Sequence, residues 1–138
     1  MVGSINYLKE NKMDCSDIPK YDMCLNQGES RTLRFDFTDE DDAPIDLTGS
    51  TLKFQVKDNI NSISTLLSAL STDVTGSRIE IGDQTTDQGG AYLIIEGADT
   101  VDLKYNLSGA QDLLRIDSNG ATKYYFKGKF ILSPTVSR

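Results

Sequence analysis

A two-residue alternation of apolar and polar side chains is the feature of this sequence that most restricts its fold. Leu33, Phe35 and Phe37 alternate with polar residues, and other segments of the chain repeat the pattern, among them 52–56, 112–116 and 122–132. Successive side chains of a strand point to opposite faces, so this period predicts strands with one buried face. Turn-forming residues separate the runs, most clearly Asn119-Gly120. Seven or eight such strands predict an all-β, antiparallel β-sandwich.

The inward positions of the clearest alternating runs are predicted to form the core. These positions are Leu33, Phe35, Phe37, Leu52, Phe54, Leu114, Tyr124, Phe126 and Phe130.

The chain divides into an N-terminal arm, residues 1–20, and a sandwich domain, residues 21–138. Its 138 residues suit a single domain, and no period is sustained over the first 20. The apolar residues of 58–73 have roughly helical spacing, but abundant Ser and Thr favour a loop followed by a strand at 65–70. Residues 99–104 resemble one helical turn, with Asp99 as its N-cap.

The charge balance points to proteins as partners. The net charge is −7, from 21 acidic and 14 basic side chains, which is the wrong sign for binding nucleic acid or an anionic membrane. No run of about 18 apolar residues occurs, and the first residues lack the basic and apolar regions of a secretory signal. We therefore expect the protein to be made in the cytoplasm.

Few catalytic or cofactor-binding arrangements are open to this chain. It has no His, so Ser-His-Asp and Cys-His arrangements cannot form within it. Cys15 and Cys24 alone cannot complete a structural zinc site, and in a cytoplasmic protein they are expected to be free thiols. Paired carboxylates remain open in principle, but no Trp is present to hold a sugar. The sequence predicts a protein that is not an enzyme and binds no cofactor or metal.

Two charged clusters and one tyrosine have both a structural and a functional interpretation. The acidic run Asp39-Glu40-Asp41-Asp42 could hold Ca²⁺, but it lacks the spacing of an EF-hand loop, which favours a solvated turn. Lys123, Lys127 and Lys129 could bind a ligand, but lysines on a strand more often protect an edge from pairing. Tyr125, on the face opposite to Tyr124 and Phe126, is a candidate exposed contact.

Three segments resemble a family of small immunoglobulin-like structural proteins encoded by bacteriophages and prophages, similar to the N-terminal domain of phage baseplate upper proteins. The segments are 26–35, which leads from Gly28 into a strand; 43–56, which runs from Ala43-Pro44 through Thr48-Gly49 into a strand; and 126–138. Asp42 stands where the second turn of this family usually carries a glycine. The middle segment also makes physical sense alone, since Ile45 and Leu47 can close the end of a sandwich.

The resemblance implies an immunoglobulin-like sandwich over 21–138 and a structural role in the virion. The implied partners are other tail, baseplate or fibre components, with the chain present as a homo-oligomer or in several copies. A capsid-surface or head-associated protein is the alternative, and a carbohydrate-binding module for host attachment is a further one. The family supplies no catalytic residues.

The arm carries more apolar residues than a purely solvating tail would, and these are candidate partner contacts. They are Ile5, Tyr7, Leu8, Met13 and Ile18. Alone, the arm can hardly bury enough surface to offset its ordering cost, whereas against a neighbouring subunit it could add a strand or fill a groove. The alternative is that it folds back on its own sandwich.

Overall fold

The computed structural model describes residues 2–9, 19–59, 65–101, 103 and 107–134, with the backbone alone at 2–9 and 107–108. Its nine strands are β1 Val2–Lys9, β2 Met23–Asn26, β3 Arg31–Thr38, β4 Thr51–Lys57, β5 Thr65–Leu70, β6 Arg78–Ile81, β7 Gly90–Ile95, β8 Leu107–Ile116 and β9 Thr122–Ser133. A 3₁₀ turn lies at Gly97–Asp99. Within the described ranges, no helix is long and apolar enough to span a membrane.

The strands form two sheets that pack as a sandwich. One sheet has the order β1-β3-β7-β6, and the other has the order β2-β9-β8-β4-β5. Five of the pairings are antiparallel, and two, β1 with β3 and β2 with β9, are parallel. The predicted all-β sandwich is confirmed, with eight strands between residues 21 and 138. The strand predicted at 65–70 is β5.

The buried core confirms the alternation of β3 and β4 and of most of β9. Phe35 of one sheet and Phe126 of the other meet across the interior, with ring centroids 5.8 Å apart. The predicted core residues that are buried are Leu33, Phe35, Phe37, Leu52, Phe54, Phe126 and Phe130. Two predictions are wrong, because Tyr124 is 45% exposed and Leu114 is only partly buried, while Leu113 is buried in its place.

A β-bulge in the β8–β9 hairpin explains the error at Tyr124, whereas the error at Leu114 arises because β8 buries Leu113 and Arg115. Leu113 pairs with Phe126 but Leu114 pairs with Tyr124, so Tyr125 is an extra residue in β9. Tyr125 therefore faces inward beside Phe126 and is only 2% exposed. The interpretation of Tyr125 as an exposed partner contact is wrong, and Tyr124 takes the outward position.

The turns of the 43–56 segment have the local geometry that its residues favour. Leu47 is buried, Ile45 packs against the core, and Gly49 adopts a φ of 76° at the bend into β4. Asp42 has a φ of 64° and is the sole non-glycine residue with a positive φ among the described residues. Because this conformation favours glycine but Asp tolerates it, Asp42 can stand where the similar family carries a glycine.

Part of the arm pairs with the sandwich of the same chain. The backbone of β1 lies parallel to β3, with Ile5 opposite Arg34 and Leu8 opposite Phe37. This pairing is the one that the fold-back alternative requires for residues 2–9. The candidate contacts Met13 and Ile18 lie outside the described residues, as does Cys15. Cys24 is exposed and is a free thiol.

Candidate binding face on the five-stranded sheet

The pairing of β4, β8 and β9 arranges nine outward-facing residues in three rows across the five-stranded sheet. This set of nine is termed the outer face. Across β4, β8 and β9 in turn, the rows are Lys53, Leu114 and Tyr124; then Gln55, Asp112 and Lys127; then Lys57, Ala110 and Lys129. Seven of the nine, together with Gln111 and Gly128, line a groove of about 540 Å³: Gln55, Lys57, Ala110, Asp112, Leu114, Tyr124 and Lys127.

One end of the outer face is apolar. Leu114 and Tyr124 lie side by side there, and the Nζ atom of Lys127 lies 6.0 Å from the centroid of the Tyr124 ring. Tyr124 is one of three large apolar side chains that are exposed among the described residues. Apolar groups gathered on one surface commonly mark a site of interaction with another molecule.

The other end is basic. Lys57 and Lys129 lie on either side of Ala110, and Lys127 is next to Lys129 on the same strand face. None of the four lysines of the outer face forms an ion pair with a residue that the structure describes. By contrast, arginines of β3 and β6, in the other sheet, do form ion pairs. The outer face is therefore positively charged, although the whole chain has a net charge of −7.

The carboxyl group of Asp112 lies at the centre of the outer face. Burial raises its pKa, and the positive charges of Lys57, Lys127 and Lys53 offset only part of that effect. The ionised carboxylate is therefore less favourable in the folded chain than in water. Titratable groups with such shifts are concentrated at functional sites.

Lys127 and Lys129 do not protect an exposed sheet edge. The chain before β2 covers this part of β9, since the backbone N–H of Tyr21 donates to the Lys127 carbonyl oxygen at 2.8 Å. The backbone N–H of Lys129 donates to a carboxylate oxygen of Asp22, also at 2.8 Å. The edge-protection interpretation is therefore wrong for these two lysines.

The four-stranded sheet has a different kind of charged cluster, whose members pair with one another. Arg34 donates from Nη2 to carboxylate oxygens of Asp36 at 2.8 Å and of Asp87 at 2.6 Å, and from Nη1 to the Tyr92 hydroxyl at 2.8 Å. Hydrogen bonds from Arg34 lower the pKa of Asp87. The cluster ties β3 to β7 and to the loop before β7, which is a structural role.

The acidic run after β3 forms a turn. One carboxylate oxygen of Asp39 accepts hydrogen bonds from the backbone N–H groups of Asp41 at 2.8 Å and Ala43 at 3.0 Å. Glu40, Asp41 and Asp42 are exposed, as the solvated-turn interpretation predicts. Within the described part of the chain, no group of three or more potential metal ligands is found.

The sequence did not identify the outer face as a site. Of the predicted contacts, Tyr125 is buried, and only the backbone of Ile5, Tyr7 and Leu8 is described. The missed residues are Leu114, Tyr124, Asp112 and the lysines of β4. One signal was available, because β8 carries apolar side chains on both of its faces at Leu113 and Leu114.

The architecture can be compared with that of known proteins. The N-terminal domain of ORF48 of phage TP901-1 is similar in structure over 96% of this chain and 99% of that chain, with a TM-score of 0.52 and 10% sequence identity. The chain shares its fold with a domain of a phage protein. No family model and no curated protein matches the sequence. At this identity the likeness concerns the fold alone, and it supports the resemblance to phage structural proteins at that level.

Proposed function

We propose that this chain is a non-enzymatic structural protein of a phage virion that joins other proteins of the tail, baseplate or fibre attachment. The observation that carries the proposal is the extent of the fold likeness, which includes nearly all of both chains. This chain and the ORF48 domain are therefore similar over the whole domain and not over one sheet alone. Fold alone does not determine function, and the surface of the domain also bears on its role.

The chemistry of the outer face suits binding better than catalysis. General acid–base catalysis by carboxyl groups usually needs two of them near one substrate. Asp112 is surrounded by lysines, Asp87 is held by Arg34, and Asp39 holds a turn. An apolar and basic surface on an acidic domain is suited to a protein partner. The domain would act in several copies within the particle, without nucleic acid or membrane.

Fractionation of particles tests this function and its location. Purified particles of the phage that encodes the chain would be separated into heads and tails, and each fraction would be analysed by mass spectrometry. The proposal expects the chain in the tail fraction. Its presence in heads alone would favour the head-associated alternative, and its absence from both fractions would overturn the virion role.

A further inference from the structure

We propose that the outer face binds an extended segment of another virion protein, and that this segment carries an acidic side chain and an apolar side chain four positions apart. The inference rests on the proposed function, because the segment would belong to a neighbouring component of the particle. It specifies what the partner presents, and it follows from the spacing of the groups on β4, β8 and β9.

The separation between the basic and apolar ends sets the spacing in the partner. Ala110 and Leu114 are four residues apart on β8, which is about 13–14 Å at the rise of an antiparallel strand. Two residues of an extended partner that are four positions apart have the same separation and point to the same side. A segment lying along β8 can therefore place one side chain over each end.

The basic end fits a carboxylate. Ala110 has a small side chain, and Lys57 and Lys129 are its neighbours on the two adjacent strands, each about 4.8 Å away across the sheet. A carboxylate above Ala110 would lie between two ammonium groups that have no ion-pair partner among the described residues. A charge-assisted hydrogen bond is stronger than one between neutral groups, so an acidic side chain is favoured there.

The apolar end fits an aliphatic or aromatic side chain. Leu114 is partly buried and the adjacent Tyr124 is 45% exposed, so an apolar side chain placed there would remove apolar surface of both residues from water. Such removal is favourable by roughly 25 cal/mol per Å². Tyrosine is also enriched among the residues that contribute most to the energy of protein interfaces.

Asp112 determines what the partner can carry between these two positions. Its carboxyl lies in the middle row, below the residue two positions from the acidic one. A second acidic side chain there would face a like charge in partly desolvated surroundings, which is unfavourable. Asp112 thus selects a segment with a neutral or hydrogen-bond-donating residue at that position, and it disfavours a uniformly acidic one.

A second copy of the chain is a poorer occupant than a different protein. Two copies meeting through the same patch would bring the lysines of one face against those of the other, and like charges across an interface are unfavourable. The partner is therefore expected to be a different chain with acidic residues on its surface.

A peptide titration followed by NMR tests the inference on the purified chain. The probe is a short synthetic peptide with Glu, Ser and Leu at alternate positions, and the control peptides replace Glu by Lys or Ser by Asp. Shifts are expected at amides of β4, β8 and β9, with both control peptides binding more weakly. The Lys57→Glu/Lys129→Glu variant should bind the first peptide at least about fivefold more weakly, whereas Lys123→Glu, at the far end of β9, should bind it normally.

Several results would overturn the inference. These are equal binding of all three peptides, shifts confined to other strands, or an unchanged affinity of the double variant. Binding of oligogalacturonate to this face without binding of the peptide would make an acidic saccharide the ligand instead. Concentration-dependent shifts of the same amides without peptide would indicate a second copy. The titration uses the isolated chain, and the fractionation of particles uses the virion. A negative titration with the chain present in tails would overturn this inference alone, and a positive titration with the chain absent from particles would overturn the proposed function.

Discussion

The guanidinium group of Arg115 donates a hydrogen bond from Nε to the hydroxyl of Tyr125, 3.1 Å away, and both residues are buried in the sandwich. Arg115 also donates from Nη1 to the hydroxyl of Ser50 at 3.0 Å. The bulge makes this pair possible, because it turns Tyr125 inward, where its ring packs edge-on against Phe37 at 4.8 Å. A cationic side chain is tolerated inside the sandwich because hydrogen-bond acceptors meet it there.

The neighbouring tyrosines of β9 should respond very differently to loss of the hydroxyl. Tyr125→Phe removes an acceptor from a buried charged donor and is expected to lower the free energy of unfolding by about 1.5–3 kcal/mol. Tyr124→Phe, on the outer face, should change it by less than about 0.5 kcal/mol. Urea denaturation of both variants measures the difference, and equal effects would contradict the bulge.

Arg115 and Tyr125 also show which parts of the fold could be predicted from the sequence and which could not. Alternation predicted β3 and β4 with the correct faces, because each strand has one clearly apolar side. In β8 the apolar Leu114 and Ile116 suggested an inward face, yet Leu113 and Arg115 point inward. Arg115 is buried because Tyr125 and Ser50 satisfy it, and neither contact follows from a local pattern.

The outer face could not be predicted, since it depends on the register of three strands. Lys57, Asp112 and Lys127 become neighbours only through the pairing of β4 with β8 and of β8 with β9. The bulge in β9 places Tyr124 beside Leu114. Tertiary contacts also determine the role of Asp99 in the turn at 97–99. Asp99 was predicted as an N-cap, but it ends this turn, and its carboxylate accepts hydrogen bonds from the backbone and hydroxyl of Ser77 instead.

The Arg34–Asp87 ion pair should make stability depend on pH in the acid range. The pKa of Asp87 is lower in the folded chain than its unfolded value of about 3.9. The stabilisation that the Asp87 carboxylate provides is therefore complete above the unfolded pKa and is lost as the pH falls through the folded pKa. The wild-type chain should have a higher Tm than the Asp87→Asn variant at neutral pH. This difference in Tm should become smaller below about pH 4. A gap that stays constant down to the acid limit would contradict this role.

Asp112 and Asp117 should show opposite effects on stability. Burial raises the pKa of Asp112, so its ionisation opposes folding above the unfolded pKa, and Asp112→Asn is expected to raise the Tm at neutral pH. Hydrogen bonds from the backbone N–H groups of Ala121 and Asn119 lower the pKa of Asp117 in the β8–β9 turn. Asp117→Asn should therefore lower the Tm at neutral pH. Calorimetry of both variants checks the signs, and a lower Tm for Asp112→Asn would contradict the account of the outer face.

Deletion of residues 1–20 tests the role of the arm. The described core lies between Met23 and Leu132, so the truncated domain is expected to remain folded with a reduced Tm, because β3 loses its pairing with β1. If the arm is an assembly element, the truncated chain should fail to enter particles. Normal incorporation would contradict the assembly role, and unfolding would favour an arm that serves only its own sandwich.

Complementation of a gene deletion tests the virion role most directly. Phage lacking the gene for this chain would be grown with and without the wild-type chain supplied in trans, and the particles would be imaged by electron microscopy. The account predicts particles with absent or incomplete tails, baseplates or fibres when the chain is missing, and complete particles when it is restored. Complete, infectious particles in its absence would contradict the central claim.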